Sequence, residues 1–214
     1  MIAAILIGRK GSSGLPGKNM REVEGHPMAW WPLNAAQECP VVDRIYVSTD
    51  DPGIVAMAES FGSHIIERPD YLASDSALGE DAYAHAHSVV QADAEKEGTH
   101  VEMYVLLMAN AVTVTSEQIS DGITVLRERD DVDSAVTVSC YNMWSPLRAR
   151  RITDEGLLQP FVPFEVFGDP KTLNCDRDSQ GDVWFADMGV SVVRPQNLED
   201  LHSGLLPQKW MGQS

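Results

Sequence analysis

The sequence predicts an α/β fold: one domain over residues 1–214, built on a doubly wound, mostly parallel sheet. Short apolar runs alternate with helical segments, Gly, Pro and Asp signals separate them, and 43% hydrophobic content can fill a core in a chain of 214 residues. Strands that alternate with helices pair in parallel through crossover connections. Ligands of such sheets bind beyond the carboxyl ends of the strands. The loops after the strands are therefore the candidate site.

The first strand is predicted where the chain opens with a continuous apolar run, which fits a strand covered on both faces. The other predicted strands are shorter apolar or β-branched runs, which gives residues 2–7, 44–48, 64–66, 101–108, 134–139 and 189–194. The predicted helices lie between them, at residues 28–38, 52–60, 78–96 and 115–129. The sequence Thr49-Asp50-Asp51-Pro52 is typical of a helix start, and Gly62 of a helix end.

Residues 141–182 break this alternation. Prolines occur at 146, 160, 163 and 170, and the aromatic residues Trp144, Phe161, Phe164 and Phe167 lie among them. This composition favours a small β-rich excursion over another strand–helix unit. Apolar residues without a long helix to cover them indicate a contact with a second copy or a lid. We therefore expect a homodimer in which this excursion takes part.

The charge balance excludes two kinds of partner. The chain carries 16 Lys and Arg against 32 Asp and Glu, a formal net charge of −16. Phosphate backbones and anionic membranes attract basic proteins, so we expect neither nucleic acid nor a membrane as a partner. The three cysteines show no C-x-x-C pair, and the first apolar run is too short for a membrane span or signal peptide. These features indicate a cytoplasmic protein with reduced thiols.

One segment departs from the acidic background. Residues 8–21 contain Arg9, Lys10, Lys18 and Arg21 and no acid. Four glycines in the same loop leave backbone amides free to surround an anion, and the basic side chains add charge. These are the properties that a triphosphate-binding loop requires, although a flexible basic surface loop would have the same composition.

Two common nucleotide-binding motifs do not fit this loop. A Walker A motif requires a Gly five residues before Gly17-Lys18, where Ser12 stands, and a Ser or Thr at Asn19. The dinucleotide motif G-x-G-x-x-G fails because Gly8 and Gly11 are three residues apart. The loop needs another explanation.

Residues 8–19, G-R-K-G-S-S-G-L-P-G-K-N, resemble the signature of the acylneuraminate and 3-deoxy-manno-octulosonate cytidylyltransferases. Three further segments match the same family in order: V-S-T-D-D at 47–51, R-P…L-A-S-D at 68–75, and D-S-A-V-T-V at 133–138. Four motifs in register cover residues 1–140. The resemblance implies a Rossmann-like nucleotidyltransferase that transfers CMP from CTP to an acidic small molecule and releases pyrophosphate, with Mg²⁺ as cofactor.

The resemblance leaves the acceptor open. It implies first a 2-keto-3-deoxy sugar acid of the nonulosonate type. A related alternative is a phosphonate, activated as a CMP-phosphonate such as CMP-phosphonoformate for natural-product biosynthesis. A third alternative is an inactive nucleotide-binding module used in assembly.

The resemblance also assigns residues to roles. Lys18 and Arg9 would be catalytic. The nucleotide would contact Gly8, Arg9, Gly11, Ser12, Ser13, Lys18, Asn19, Arg68, Ala73, Ser74 and Asn110. The acceptor would contact Asn110, Lys171, Arg177 and Gln180, and the metal would contact Asp182 and Asp187. Structural alternatives are a surface salt bridge for Arg68, a helix cap for Asp50, and solvated turn acids for Asp182 and Asp187.

The chain departs from the family pattern at three places. Ser13 stands where the family often has a lysine, for which Lys10 could substitute. The segment 106–114 lacks the Gln, Pro and Arg residues usual there, leaving Asn110 as the polar group at the strand end. A late acidic segment that helps to bind metal has no counterpart before residue 214.

Overall fold

A computed structural model describes residues 1–11, 14–74, 76–174, 176 and 181–214. The predicted site residues Ser12, Ser13, Arg177 and Gln180 lie outside the described residues. The chain separates into two compact units. The first comprises residues 1–137 and 188–214, and the second comprises Val138–Asp187.

The first unit is an α/β unit built on a six-stranded sheet. In chain order, the strands of the whole chain are β1 (Ile2–Gly8), β2 (Glu22–Val23), β3 (His26–Pro27), β4 (Arg44–Thr49), β5 (His64–Glu67), β6 (Met103–Met108), β7 (Ser134–Cys140), β8 (Arg150–Ile152), β9 (Leu158–Pro160) and β10 (Trp184–Val193). The α-helices are α1 (Trp30–Glu38), α2 (Pro52–Ser60), α3 (Asp70–Ala73), α4 (Gly79–Lys96), α5 (Ser116–Glu128) and α6 (Gln196–Glu199).

The sheet has the order β5-β4-β1-β6-β10-β7. The pairs β1–β4, β1–β6 and β4–β5 are parallel, whereas β10 runs antiparallel to β6. The predicted mostly parallel sheet is therefore confirmed, and the carboxyl ends of β1, β4, β5 and β6 meet at one edge. The predicted return strand is confirmed too, although it begins at Trp184 rather than residue 189.

Helices cover both faces of the sheet, as a doubly wound fold requires. All seven residues of β1 are buried. Ile2, Ala4 and Leu6 pack in the core that contains residues of α1, α2 and α5. The alternate residues Ala3, Ile5 and Ile7 pack in the core formed with α4 and α6. Because strand side chains alternate between faces, a strand in this position must be apolar throughout, which explains the continuous run at the start of the sequence.

Polar side chains cap the starts of α2 and α5. Asp51 caps α2 by accepting a hydrogen bond from the Gly53 amide at 2.8 Å. The cap is therefore Asp51, and the alternative that Asp50 caps this helix is wrong. Thr115 and Gln118 form a reciprocal capping box at the start of α5.

Aromatic side chains contribute to the packing of α1 and α4. His87 is buried on α4, and its Nδ1 lies 2.9 Å from the Tyr104 hydroxyl, whereas the Nδ1 of His85 has no hydrogen-bond partner among the described residues. Trp30 stacks on His26 with ring centroids 3.9 Å apart, and Trp31 donates to the Val23 carbonyl. The tryptophans therefore contribute to packing.

The second unit contains short elements. Strands β8 and β9 pair as an antiparallel hairpin, and short 3-10 helices occupy residues 142–144, 146–148 and 164–167. The Arg150 guanidinium lies 5.0 Å from the centre of the Phe164 ring. Large apolar side chains remain exposed, among them Trp144, Leu158 and Phe161. Across the described part of the chain, no helix combines the length and apolar character needed to cross a membrane.

Candidate functional site

A cavity of about 160 Å³ lies at the carboxyl ends of β1 and β6. Its described lining residues are Ile7, Gly8, Arg9, Gly11, Lys18, Asn19, Arg68, Leu72, Ala77, Leu78, Gly79, Ala82, Met108 and Asn110. They come from the end of β1, the loop after it, the segment around α3, the start of α4 and the end of β6. This is the position at which parallel α/β sheets bind ligands.

The lining residues have an unusual charge balance for this chain. Arg9, Lys18 and Arg68 are cations, and the described lining residues include no carboxylate. The chain as a whole has twice as many acids as bases. A concave surface with one sign of charge attracts ligands of the opposite sign. The cavity is therefore suited to an anion.

A larger groove has the opposite character. It measures about 540 Å³ and is lined by residues of α3, α4 and the segment between them, including Tyr71, Asp81 and His85. Its described lining residues contain a carboxylate and no Lys or Arg. Size alone would favour this groove as the ligand-binding site, but its charge does not suit an anionic ligand.

The glycine-rich loop places Lys18 and Asn19 at the cavity through a short 3-10 helix, Lys18–Met20. Gly17 precedes this helix with φ of 66°, a left-handed conformation that glycine adopts readily. Asn19 is buried, and its side-chain Nδ2 donates to the Arg9 carbonyl at 3.1 Å. The backbone carbonyl of Asn19 accepts a hydrogen bond from the Ala29 amide. The two ends of the loop are thereby joined through Asn19.

Gly8 is required by packing. A Cβ atom at this position would lie 2.6 Å from the Cβ of Ala109 and 3.0 Å from Cδ1 of Ile54. The ends of β1 and β6 therefore approach more closely than a side chain at residue 8 permits. In contrast, a Cβ at Gly11 would meet no atom within 4 Å among the described residues.

Asp50 ties two of the strand-end loops together. Its Oδ1 accepts a hydrogen bond from the Lys10 backbone amide at 2.8 Å. Asp50 follows β4, and Lys10 follows β1. The carboxylate therefore holds the start of the glycine-rich loop beside the neighbouring strand.

Arg68 is a buried cation whose described hydrogen-bond partners are neutral. Only 7% of the residue is exposed. Its Nε lies 3.3 Å from the Ser48 hydroxyl, and its Nη2 donates to the Ser48 carbonyl at 2.8 Å. Burial lowers the pKa of the guanidinium from its ordinary value, and the charge of Asp50 opposes that shift. The surface salt bridge considered for Arg68 is wrong, because the side chain is buried and bound to a serine.

The residue Arg9 contacts the segment after α3. Its Nη1 donates to the Ser74 carbonyl at 2.6 Å. Ser74 and Ala73 are not among the described residues that line the cavity. The structure thus brings Ser74 to the site through its backbone contact with Arg9.

Seven predicted site residues meet at the cavity, namely Gly8, Arg9, Gly11, Lys18, Asn19, Arg68 and Asn110. The predicted acceptor residue Lys171 and the predicted metal ligands Asp182 and Asp187 belong to the second unit. The Lys171 backbone amide donates to Asp169. Asp182 accepts from Asn142 at 2.9 Å, and Asp187 accepts from Ser139 at 2.8 Å.

Sequence reasoning missed other parts of the site. It assigned no role to the apolar wall formed by Leu72, Leu78 and Met108, or to Gly79. Apolar residues in loops carry little signal of their own. It also missed Ser48 as the partner of Arg68, although a serine inside the apolar strand β4 is a signal that could have been used.

Comparison with known proteins identifies the family. The profile of the family described as Cytidylyltransferase matches residues 3–145, about two thirds of the chain. This chain belongs to the cytidylyltransferase family. The resemblance seen in the four sequence motifs is confirmed.

Two curated relatives illustrate the similarity. The N-acylneuraminate cytidylyltransferase of Escherichia coli O18:K1:H7 is 28% identical over 141 residues, which cover 66% of this chain and 32% of the relative. The 3-deoxy-manno-octulosonate cytidylyltransferase of Synechococcus elongatus is 34% identical over 85 residues, covering 40% of this chain and 33% of the relative. The matched part of the chain thus spans about a third of the length of these two relatives.

A solved structure of similar fold is that of CMP:2-keto-3-deoxy-manno-octonic acid synthetase complexed with CTP. The TM-score is 0.64 at 16% identity, and the alignment covers 97% of this chain and 80% of that one. The 4-diphosphocytidyl-2C-methyl-D-erythritol synthase of Anaerococcus prevotii aligns with a TM-score of 0.56 at 15% identity, over 91% of this chain and 70% of that one. At these identities the similarity confirms the α/β nucleotidyltransferase fold.

The packing of Gly8 leads to a testable prediction. Gly8→Ala is expected to lower the free energy of unfolding by about 1–3 kcal/mol, because the new methyl group overpacks the contact with Ala109. Adding Ala109→Gly in the same chain should recover part of this loss by removing the closest clashing atom. Denaturant unfolding would measure both effects.

Gly11→Ala serves as the matched control, since its Cβ meets open space among the described residues. We expect its free energy of unfolding to stay within about 0.5 kcal/mol of wild type. Equal losses in the Gly8 and Gly11 variants would contradict the packing explanation.

Proposed function

We propose that the protein is a CTP-dependent cytidylyltransferase that transfers CMP to an acidic small molecule and releases pyrophosphate. The observation that carries this proposal is the charge of the cavity at the strand ends. Arg9, Lys18 and Arg68 meet there without a described carboxylate, in a chain of net charge −16. Membership of the cytidylyltransferase family supports CTP as the anionic ligand that binds in this cavity.

In the proposed reaction, an oxygen of the acceptor attacks the α-phosphorus of CTP in line with the leaving pyrophosphate. The new oxygen–phosphorus bond forms, the bond from the α-phosphorus to the oxygen bridging to the β-phosphate breaks, and the proton of the acceptor hydroxyl passes to water. The protein forms no covalent intermediate. Catalysis then rests on positioning and on neutralising charge at the phosphates. We assign these tasks to Lys18 and Arg9, and we propose backbone amides of the glycine-rich loop as further donors.

The cavity suits one part of the nucleotide. Its volume of about 160 Å³ is below the roughly 300–1,000 Å³ usual for a complete small-molecule pocket. We propose that the base enters between Arg68 and the apolar wall, while the phosphates lie along the loop that carries Arg9 and Lys18. Arg68 would donate to acceptor atoms on the edge of the base.

Mg²⁺ is proposed as the cofactor, held mainly by phosphate oxygens and water. Within the described ranges, no three His, Cys, Asp or Glu side chains form a group that could bind a metal. Asp182 and Asp187 each accept a hydrogen bond from a neighbouring side chain. Mg²⁺ commonly retains water and binds through substrate phosphates with few protein ligands. We therefore assign the catalytic steps to Lys18 and Arg9 and not to the metal ion.

For the acceptor, we propose a 2-keto-3-deoxy sugar acid. The names of the two curated relatives, which refer to N-acylneuraminate and 3-deoxy-manno-octulosonate, support this class. Asn110 is exposed at the end of β6 and lines the cavity, so it is the described residue best placed to contact an acceptor. Lys171, Arg177 and Gln180 remain proposed contacts for the acidic group.

Pyrophosphate release would test the proposed function. We expect turnover with CTP, Mg²⁺ and at least one sugar acid from a panel that includes N-acetylneuraminate and 3-deoxy-manno-octulosonate. Chelation of the metal by EDTA should abolish it. Parallel reactions would contain phosphonates such as phosphonoformate, and UTP or ATP in place of CTP.

Each result of this panel has a distinct meaning. Turnover with phosphonates alone would contradict the sugar-acid proposal and identify the alternative acceptor. Preference for UTP or ATP would contradict the assignment of the base. CTP binding without turnover on any acceptor would support an inactive nucleotide-binding module instead.

Lys18 provides a second test. Lys18→Ala should lower kcat by about 100-fold or more, because removal of one preorganised donor to developing negative charge has this effect in other enzymes. Its melting temperature should change little, since the side chain is only half-buried. Lys96→Ala is the control, because Lys96 lies at the end of α4 in an exposed ion pair with Asp93. Wild-type turnover in the Lys18 variant would exclude this residue from the mechanism.

We also propose that the protein is a homodimer that uses the second unit. Leu158, Phe161 and Trp144 are more than 60% exposed there, and exposed apolar residues of this size favour a protein contact. Sedimentation should give about twice the 23.5 kDa mass of one chain, and Leu158→Asp should shift it toward one chain. A wild-type monomer at micromolar concentration would contradict the proposal.

A further inference from the structure

Ser48 holds the buried arginine of the cavity by two different atoms. It lies in β4 beside Ile7 of β1 and Ile66 of β5, and it is fully buried. Its hydroxyl oxygen lies 3.3 Å from Nε of Arg68, and its carbonyl oxygen accepts from Nη2 at 2.8 Å. A single residue in the interior of a sheet thus fixes the orientation of a planar guanidinium.

These two contacts leave one terminal nitrogen of Arg68 available. Nη1 has no hydrogen-bond acceptor among the described residues, and it is not among the buried polar atoms that lack a partner. It therefore keeps access to solvent, and Arg68 is one of the residues that line the cavity. Asp50 acts on Arg68 through its charge, whereas its Oδ1 accepts a hydrogen bond from the Lys10 amide.

The chemistry of the free nitrogen distinguishes the two pyrimidine bases. A guanidinium N–H can only donate. Cytosine offers acceptors at both N3 and O2, whereas uracil presents a donor at N3. A guanidinium whose orientation is fixed would favour cytosine, while one free to rotate could move away from the N3 donor of uracil.

We propose that Ser48 is a positioning residue that fixes Arg68 with Nη1 toward the base, and thereby sets the preference for CTP over UTP. This inference rests on the proposed function, because it requires a pyrimidine nucleotide in the cavity. In this proposal, Ser48 does not contact the nucleotide itself but determines how Arg68 binds the base.

Nucleotide binding measured by titration calorimetry would test the proposal without knowledge of the acceptor. Ser48→Ala should raise the Kd for CTP about tenfold, equivalent to about 1.4 kcal/mol. The Kd for UTP should change less than about twofold, since only the cytosine contact depends on the fixed orientation. The ratio of the two Kd values is the decisive quantity, because a loss of stability alone would not change it.

Ser191→Ala is the matched control. Ser191 is also a buried serine of the same sheet, and its hydroxyl is paired with an N–H group, Nε1 of Trp210, at 3.4 Å. This variant should lose a similar amount of stability and keep the wild-type ratio of Kd values. Arg68→Lys is a second variant, because lysine keeps the charge but cannot make the same set of contacts. It should also lose the preference for CTP.

The outcomes separate this inference from the proposed function. Wild-type protein that prefers CTP, with the same preference in Ser48→Ala or in Arg68→Lys, would overturn the role of Ser48 and leave the function intact. Wild-type protein with no preference between CTP and UTP would overturn both. If Ser48→Ala does not fold, an unchanged preference for CTP in Arg68→Lys would still overturn the proposal, because Ser48 is proposed to act only through Arg68.

Discussion

Burial of β1 on both faces is the constraint on which the rest of the structure depends. The strand pairs with β4 on one side and β6 on the other, and its side chains enter both cores. Its last residue, Gly8, is also the first part of the glycine-rich loop. The position of the cavity therefore follows directly from the position of the central strand, and the glycine-rich loop begins where the sheet ends.

The cavity combines two kinds of cation. Lys18 and Arg9 lie on a loop and are partly exposed, so their charges remain partly hydrated. Arg68 is buried and held by a serine, and its charge has lost most of its hydration. A charge removed from water interacts more strongly with a ligand that reaches it, because the local dielectric constant is lower. Lys18 and Arg9 are therefore suited to bind a polyanion. The buried Arg68 is suited to donate a specific hydrogen bond to a ligand.

The sequence was sufficient to predict the main strands and helices of the first unit and the position of the glycine-rich loop after β1. The run at Ile2–Gly8, the Asp-Pro start of α2 and the capping residues of α5 each have a local physical cause that can be read from neighbouring residues. The functions of Asp50 and Ser48 could not be derived in this way. Asp50 binds the Lys10 amide across two loops, and Ser48 binds Arg68, which lies 20 residues later in the chain. Such contacts depend on how the strands are ordered in the sheet.

The second unit was the least predictable part. Prolines and aromatic residues indicated an irregular segment, but they do not determine where a three-residue strand or a single 3-10 turn begins. The local sequence around Leu158 and Phe161 has no pattern that predicts the exposure of these side chains. The contact of Arg150 with the Phe164 ring joins residues far apart in sequence, so it too required the fold.

The close approach of Gly8 to Ala109 has a consequence for how this protein can evolve. A Cβ at residue 8 would lie 2.6 Å from the Cβ of Ala109, and Ala109 is itself buried, so added volume at either position would overpack this contact. A larger side chain at 109 would require a wider gap between the ends of β1 and β6. That gap would displace the loop bearing Arg9 and Lys18 from the edge bearing Asn110. New acceptor specificity is therefore more accessible through the residues that follow 109 than through this pair, which must change together or remain unchanged.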